Sequence, residues 1–170
     1  MGDPDDQARH IGWALVGQIV NSWAIIDQCA DEILLGLRHA DETLAQKVQW
    51  RQLSSKLSQL GDLVDDEGAT WPFAALARHI LSDAATAYKN RNDLVHGTAW
   101  FQDIGRVHYT RWRVTDDKMK LVRRTLRTQD LLNFAVKSGE IAKNIHALTI
   151  DWKRRFPLPE DAIEAEIVDS

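Results

Sequence analysis

The 170-residue chain has one cysteine, Cys29, and so no internal disulfide. Stability has to come from a packed core, and a reducing compartment, the cytoplasm, is the expected setting. Cys29 falls on an apolar helical stretch, where a thiol behaves as a small buried hydrophobe. No run of 18 apolar residues is present, so no membrane-spanning helix is expected. Neither a secretory signal nor a myristoyl anchor is expected: the N-terminus is acidic, and Asp6 stands where myristoylation requires Ser or Thr. His10, His39, His79, His108 and His146 follow no zinc-ligand spacing, and there is no cysteine pair to complete one. Gly-rich phosphate loops, Gly-x-Ser-x-Gly elbows, internal repeats and low-complexity tracts are also missing. No metal or cofactor is expected.

What remains is ordinary globular material, 44% apolar and 27% charged, in a length that suits one domain. The net charge of −4 argues against a general nucleic-acid coat protein. Eight acids lie in residues 1–6 and 157–170, and residues 7–156 alone are mildly basic.

Apolar periodicity predicts a long helix over residues 7–38, its stripe running through Val16, Ile19, Val20, Trp23, Ile26, Ala30, Ile33, Leu34 and Leu37. Leu53, Leu57, Leu60 and Val64 align on a second helix over 42–66. A third runs from Pro72 to His96, with Phe73, Leu76, Ile80, Ala84, Ala87, Tyr88 and Arg91 on its stripe and Gly97 as its stop. Residues 98–127 are richer in β-branched and aromatic types and predict a small β-hairpin, with strands near 107–114 and 119–126. Thr128 caps a last helix that Pro157 and Pro159 end, with Leu131, Phe134, Ala135, Ile141, Ala142, Ile145, Leu148 and Trp152 facing inward. The expected fold is mainly α: an antiparallel four-helix bundle over residues 1–156 with the hairpin inserted between helices three and four, and a flexible acidic tail over 157–170. Trp13, Trp23, Trp50, Trp71 and Trp152 read as core or interface residues.

Three polar residues break the apolar pattern. Arg91 occupies an inward position on the third helix, where a guanidinium is costly without a carboxylate. Asp27 falls inside the apolar face of the first helix, and Asp31 lies at its edge. One basic and one acidic misfit predict a partnership of Asp27, or failing it Asp31, with Arg91. His96 lies four residues after Asn92, so the Asn92 amide can fix the imidazole tautomer if the helix persists.

Arg91-Asn92-Asp93-Leu94-Val95-His96 resembles the Arg-x4-6-His motif of the HEPN superfamily, including the Asn that follows Arg in many members. The resemblance covers the helical part, roughly residues 7–154, and is sharp in these six residues. It implies a homodimeric, metal-independent endoribonuclease of the kind found among toxins and antiviral-defence effectors. His96 would then move protons while a ribose 2′-hydroxyl attacks the adjacent phosphate, Arg91 would hold that phosphate, and Asn92 would orient one or the other. The products implied are a 2′,3′-cyclic phosphate and a 5′-hydroxyl. A protein partner or antitoxin fits the same resemblance. One subgroup carries a tyrosine two residues after the histidine, which a partner nucleotidyltransferase modifies; Thr98 stands there, which speaks against that control.

A different reading remains open, since family likeness does not establish activity. Arg91 with Asp27 can be a structural ion pair, and His96 a helix-end cap, in a non-catalytic interaction or nucleotide- or RNA-binding module. The hairpin supplies a second candidate surface, with Arg106, Arg111, Arg113, Arg123 and Arg124 set beside Trp112 as RNA-binding residues. A solvated hairpin with its aromatics packed on the helices is the other reading of it.

Overall fold

In the computed structural model, residues 4–40, 52–67, 72–103, 105–115 and 118–157 are described. They form α1 (Pro4–Ala40), α2 (Leu53–Glu67), α3 (Ala74–Val95), β1 (Thr98–Asp103), β2 (Arg106–Thr115), β3 (Lys118–Arg127) and α4 (Thr128–Arg155). The mainly helical class agrees with the sequence. The expected residues 42–51 of the second helix and the acidic residues 158–170 lie outside the described residues, as do Trp50 and Trp71.

The described chain divides into two compact units, each discontinuous in sequence. One comprises Met1–Ile25 and Asp83–Lys143, and so holds the motif and the strands; the other comprises Ile26–Ser82 and Asn144–Ser170. Because α1, α3 and α4 each contribute to both, their apolar stripes serve two cores.

In the α2-containing unit, Ile33, Leu37, Leu60, Val64, Leu148 and Trp152 are all buried and enclose a cavity of about 20 Å³. That is room for about one water, with an almost wholly apolar lining. The third helix keeps Ile80, Ala84 and Ala87 of its expected stripe buried and departs from it at its N-terminal end. Phe73 is 45% exposed and Leu76 52%, while Ala74, Ala77 and Leu81 are buried.

In the strand-containing unit, Ile19 and Trp23 on α1 share a core with Ala87 on α3, Val107 and Tyr109 on β2, and Leu131 on α4. The Trp23 indole N–H donates to Ser138 Oγ at 3.2 Å, and its ring meets Tyr88 edge-on with centroids 5.9 Å apart. Val20, expected on the inward stripe, is 44% exposed, so the buried band of α1 is narrower than its apolar pattern.

The hairpin expectation needs a correction. The region is a three-stranded antiparallel sheet in the order β1-β2-β3, with residues 98–103 as an additional strand. The β1–β2 register runs from Thr98↔Thr110 to Asp103↔Arg106, with an irregularity after Trp100. The β2–β3 register runs unbroken from Arg106↔Arg127 to Thr115↔Lys118. Two glycines make this connection possible. Gly105 adopts φ +94°, a conformation that favours glycine, between β1 and β2. At Gly97 a Cβ would stand 2.7 Å from the Asp93 carbonyl oxygen and 3.0 Å from that of Thr110, so α3 can turn into β1 there with no side chain in the way. The sheet then hands directly to α4: the Thr128 N–H donates to the Gly105 carbonyl at 2.8 Å, and the Arg127 backbone N–H to Asp130 Oδ2 at 3.3 Å.

Candidate active site at the end of α3

Helix α3 stops at Val95, and His96 follows in a bend with its side chain exposed. The His96 backbone N–H donates to the Asn92 carbonyl at 3.2 Å, the last helical bond of the segment. The imidazole itself makes no hydrogen bond among the described residues. Asn92 does not serve as its tautomer anchor: Asn92 Oδ1 accepts from Arg91 Nη1 at 3.0 Å. The helix ends one residue before the histidine, which releases the ring from the i, i+4 geometry the sequence implied.

Arg91 is half-buried, on the same side of α3 as Ala84 and Ala87. Its guanidinium lies 5.9 Å from the centre of the Tyr88 ring, a cation–π contact. Its Nε is buried with no hydrogen-bond partner, and it makes no ion pair among the described residues. An aromatic face and one amide hold a guanidinium that no carboxylate neutralises, and its part-exposed end can meet an anion at little reorganisation cost.

Asp93, in the middle of the motif, does something the sequence did not announce. It is 4% exposed and takes two cations from the sheet. Arg111 Nη1 lies 3.1 Å from Oδ1 and Arg124 Nη1 3.3 Å from Oδ2. The carboxylate thereby ties α3 to β2 and β3. The signal for it was an acid on an otherwise apolar-and-basic helix end, followed by strands with an excess of arginine.

This anchor divides the RNA-binding candidates. Arg111 and Arg124 share a sheet face with the buried Val107 and Tyr109 and are committed to Asp93. Arg106, Trp112 and Arg123 fall on the opposite face and are exposed. Arg113 lies on β2 opposite Lys120, and its side chain is outside the described residues. Beneath the sheet, Asn90, Tyr109, Arg124, Leu126, Asp130 and Phe134 line a cleft of about 160 Å³.

Asp27 and Asp31 belong to the other unit, and the cation they hold is Lys56, which the sequence reading passed over. Lys56 Nζ lies 2.7 Å from Asp27 Oδ1 and donates to Asp31 Oδ2 at 2.8 Å. Burial works to lower the lysine's pKa, but the two carboxylates outweigh it and hold the ammonium above its ordinary value. Lys56 was legible as a basic misfit between Leu53, Leu57 and Leu60. Nearby, burial would raise the Glu32 carboxyl; the Lys153 ammonium at 2.8 Å and the Gln28 amide overcome it and hold the pKa below the usual value. Cys29 Sγ lies 3.8 Å from His146 Nδ1, the spacing of a nucleophile and its base, but burial pushes the thiol pKa up. A buried thiol kept neutral is a poor nucleophile. Among the described residues no group of three His, Cys, Asp or Glu side chains could hold a metal ion. No helix among them is long and apolar enough to cross a membrane.

No protein-family model, curated protein or solved structure matches the chain. The functional reading therefore rests on the residues themselves.

Proposed function

We propose that the chain is a HEPN-like, metal-independent endoribonuclease that acts as a cytoplasmic homodimer, with Arg91 and His96 as its catalytic pair. The observation that carries the reading is the uncompensated Arg91 guanidinium five residues before an exposed His96. Arg91 binds the scissile phosphate through the part-exposed end of its guanidinium, and stabilises the charge that develops on the phosphoryl oxygens. His96 takes the proton from the ribose 2′-hydroxyl as that oxygen bonds to phosphorus. The 5′-oxygen leaves and is protonated, giving a 2′,3′-cyclic phosphate and a 5′-hydroxyl. Asn92, bonded to Arg91, positions the guanidinium. A second copy would bring a second motif to the same phosphate, and the exposed Val20, next to Gly17 and Ala24 on one face of α1, offers an apolar strip for it. A toxin or antiviral-defence role, with an antitoxin as protein partner, follows from the resemblance alone.

The test is incubation of purified protein with assorted RNAs in EDTA, with end-group analysis of the products. Cleavage abolished by both His96→Ala and Arg91→Ala, with cyclic-phosphate ends in the wild type, supports the proposal. Cleavage that survives both substitutions sinks it.

The buried Asp93 favours a second reading. A motif whose central acid organises the sheet can be retained for folding, in a non-catalytic interaction module. That reading expects no RNA turnover by the wild type and a lowered melting temperature in Asp93→Ala.

A further inference from the structure

We infer that the outer face of the β-sheet is a docking platform for single-stranded nucleic acid, with Trp112 as a base-stacking ring and Arg106 and Arg123 as phosphate holders. The alternation of β2 separates the two faces without ambiguity. Val107 and Tyr109 are 0% and 3% exposed, whereas Trp112 is 59% exposed. The register places Leu121 directly across from Trp112, with Arg123 on one diagonal and Met119, 68% exposed, on the other. Further along the same face, the Thr110–Arg123 and His108–Thr125 pairs lead to Arg106 opposite Arg127. From Arg106 to Trp112 the strand rises about 20 Å, enough for several nucleotides of an extended strand.

Charge decides the class of occupant. On β2 and β3 this face has no acid among the described residues, Asp103 of β1 stands opposite Arg106 in the register, and neither Arg106 nor Arg123 makes an ion pair among the described residues. Arg111 and Arg124 on the inner face are satisfied by Asp93, and Arg127 at the end of the outer face by Asp130, which leaves Arg106 and Arg123 as the uncompensated arginines of the outer face. An exposed indole beside unpaired guanidiniums suits a chain that alternates flat bases with phosphates. A duplex hides its base faces and leaves Trp112 without a partner. A protein strand adding to β3 would meet an edge guarded by Lys118, Lys120, Arg123 and Arg127, a composition that discourages strand pairing.

The RNA choice rests on the ribonuclease proposal, so binding and cleavage are measured separately. Binding is read by fluorescence anisotropy of labelled 2′-O-methyl oligouridine, which lacks the attacking hydroxyl, beside single-stranded DNA and double-stranded RNA across a salt series. Wild type is expected to bind both single strands and to prefer them to the duplex. Trp112→Ala is expected to weaken binding about tenfold. Arg106→Gln with Arg123→Gln is expected to make the log–log salt slope shallower by about 1.4, the value for two lost phosphate contacts on a single strand. Thermal melts confirm that these exposed substitutions leave the fold intact. Unchanged affinity in Trp112→Ala, or an unchanged salt slope in the double variant, overturns the inference. So does a double variant that aggregates but binds as before, which would make Arg123 a guard of the β3 edge. So does a dimer disrupted by Trp112→Glu in a protein that binds no nucleic acid, which would make the face an interface between copies. Binding that behaves as expected, in a protein whose His96→Ala variant cleaves RNA normally, removes the catalytic proposal and leaves the platform standing.

Discussion

In the unit that contains α2, Asp27 and Asp31 are neutralised by Lys56, and Glu32 by Lys153. In the unit that contains the sheet, Arg91, Arg106 and Arg123 hold no carboxylate among the described residues. The sequence composition moves the same way: the first unit has 8 Lys and Arg against 15 Asp and Glu, the second 13 against 10. Charges that find partners within a unit act as structural ties. Charges left over beside a helix end or on a sheet face are the ones that the proposals above assign to an anion.

The sharpest way to break this contrast is to remove charges from each unit and ask whether activity or stability responds. His96→Ala should lower RNA cleavage by at least about 100-fold, the usual scale of lost proton transfer. Because His96 is exposed, its melting temperature should hardly move; a large loss of stability with unchanged cleavage would put it among the structural ties. Asp93→Ala is the opposite case within the same motif. It removes the buried carboxylate that two part-exposed arginines share and should cost about 2–3 kcal/mol in a denaturant titration. A neutral result would mean that α3 and the sheet are held by packing alone.

In the other unit, Lys56→Ala leaves two carboxylates facing each other. The expected cost is about 2 kcal/mol, moderated because both acids are over 40% exposed. RNA cleavage should stay at the wild-type rate, and its loss would show that these charges are not confined to a structural role. The smallest effect is a pH dependence. The Glu32 pKa is lowered in the folded chain, so its contribution is present above about pH 4.5 and lost as the pH falls through the folded value. Glu32→Gln should flatten that acid limb by less than about 1 kcal/mol. Cys29 acts at the alkaline end. Its raised pKa means the unfolded chain ionises first, so stability falls above about pH 9, and Cys29→Ala should lessen the fall. Lys56 adds to the same limb, because its raised pKa loses its stabilising charge as the pH climbs past about 10.5.

Much of this contrast could be read from the chain alone, but unevenly. The Arg91-to-His96 segment stood out because a guanidinium and an imidazole at a helix end are conspicuous. Lys56 was equally misplaced on its own stripe, yet a long lysine stem is compatible with either a buried or a snorkelling position. The extra strand β1 was hidden because Thr98–Asp103 is too short to show a clear period, and its pairing depends on Gly97 letting two backbones meet. Phe73 and Leu76 fit the apolar period of the third helix yet are exposed, because Ala74, Ala77 and Leu81 are the side chains buried at that end of it.

Periodicity determined the long helices, the strand region between the third and the last of them, and the place where a cation and an imidazole occur together. Those are local properties, set by side-chain spacing of 3.6 or 2 along one element. Which arginines are spent on Asp93 and which face outward, and which base Asp27 and Asp31 hold, was decided by tertiary structure. An ion pair joins residues remote in sequence, and whether it forms depends on which faces of two elements meet.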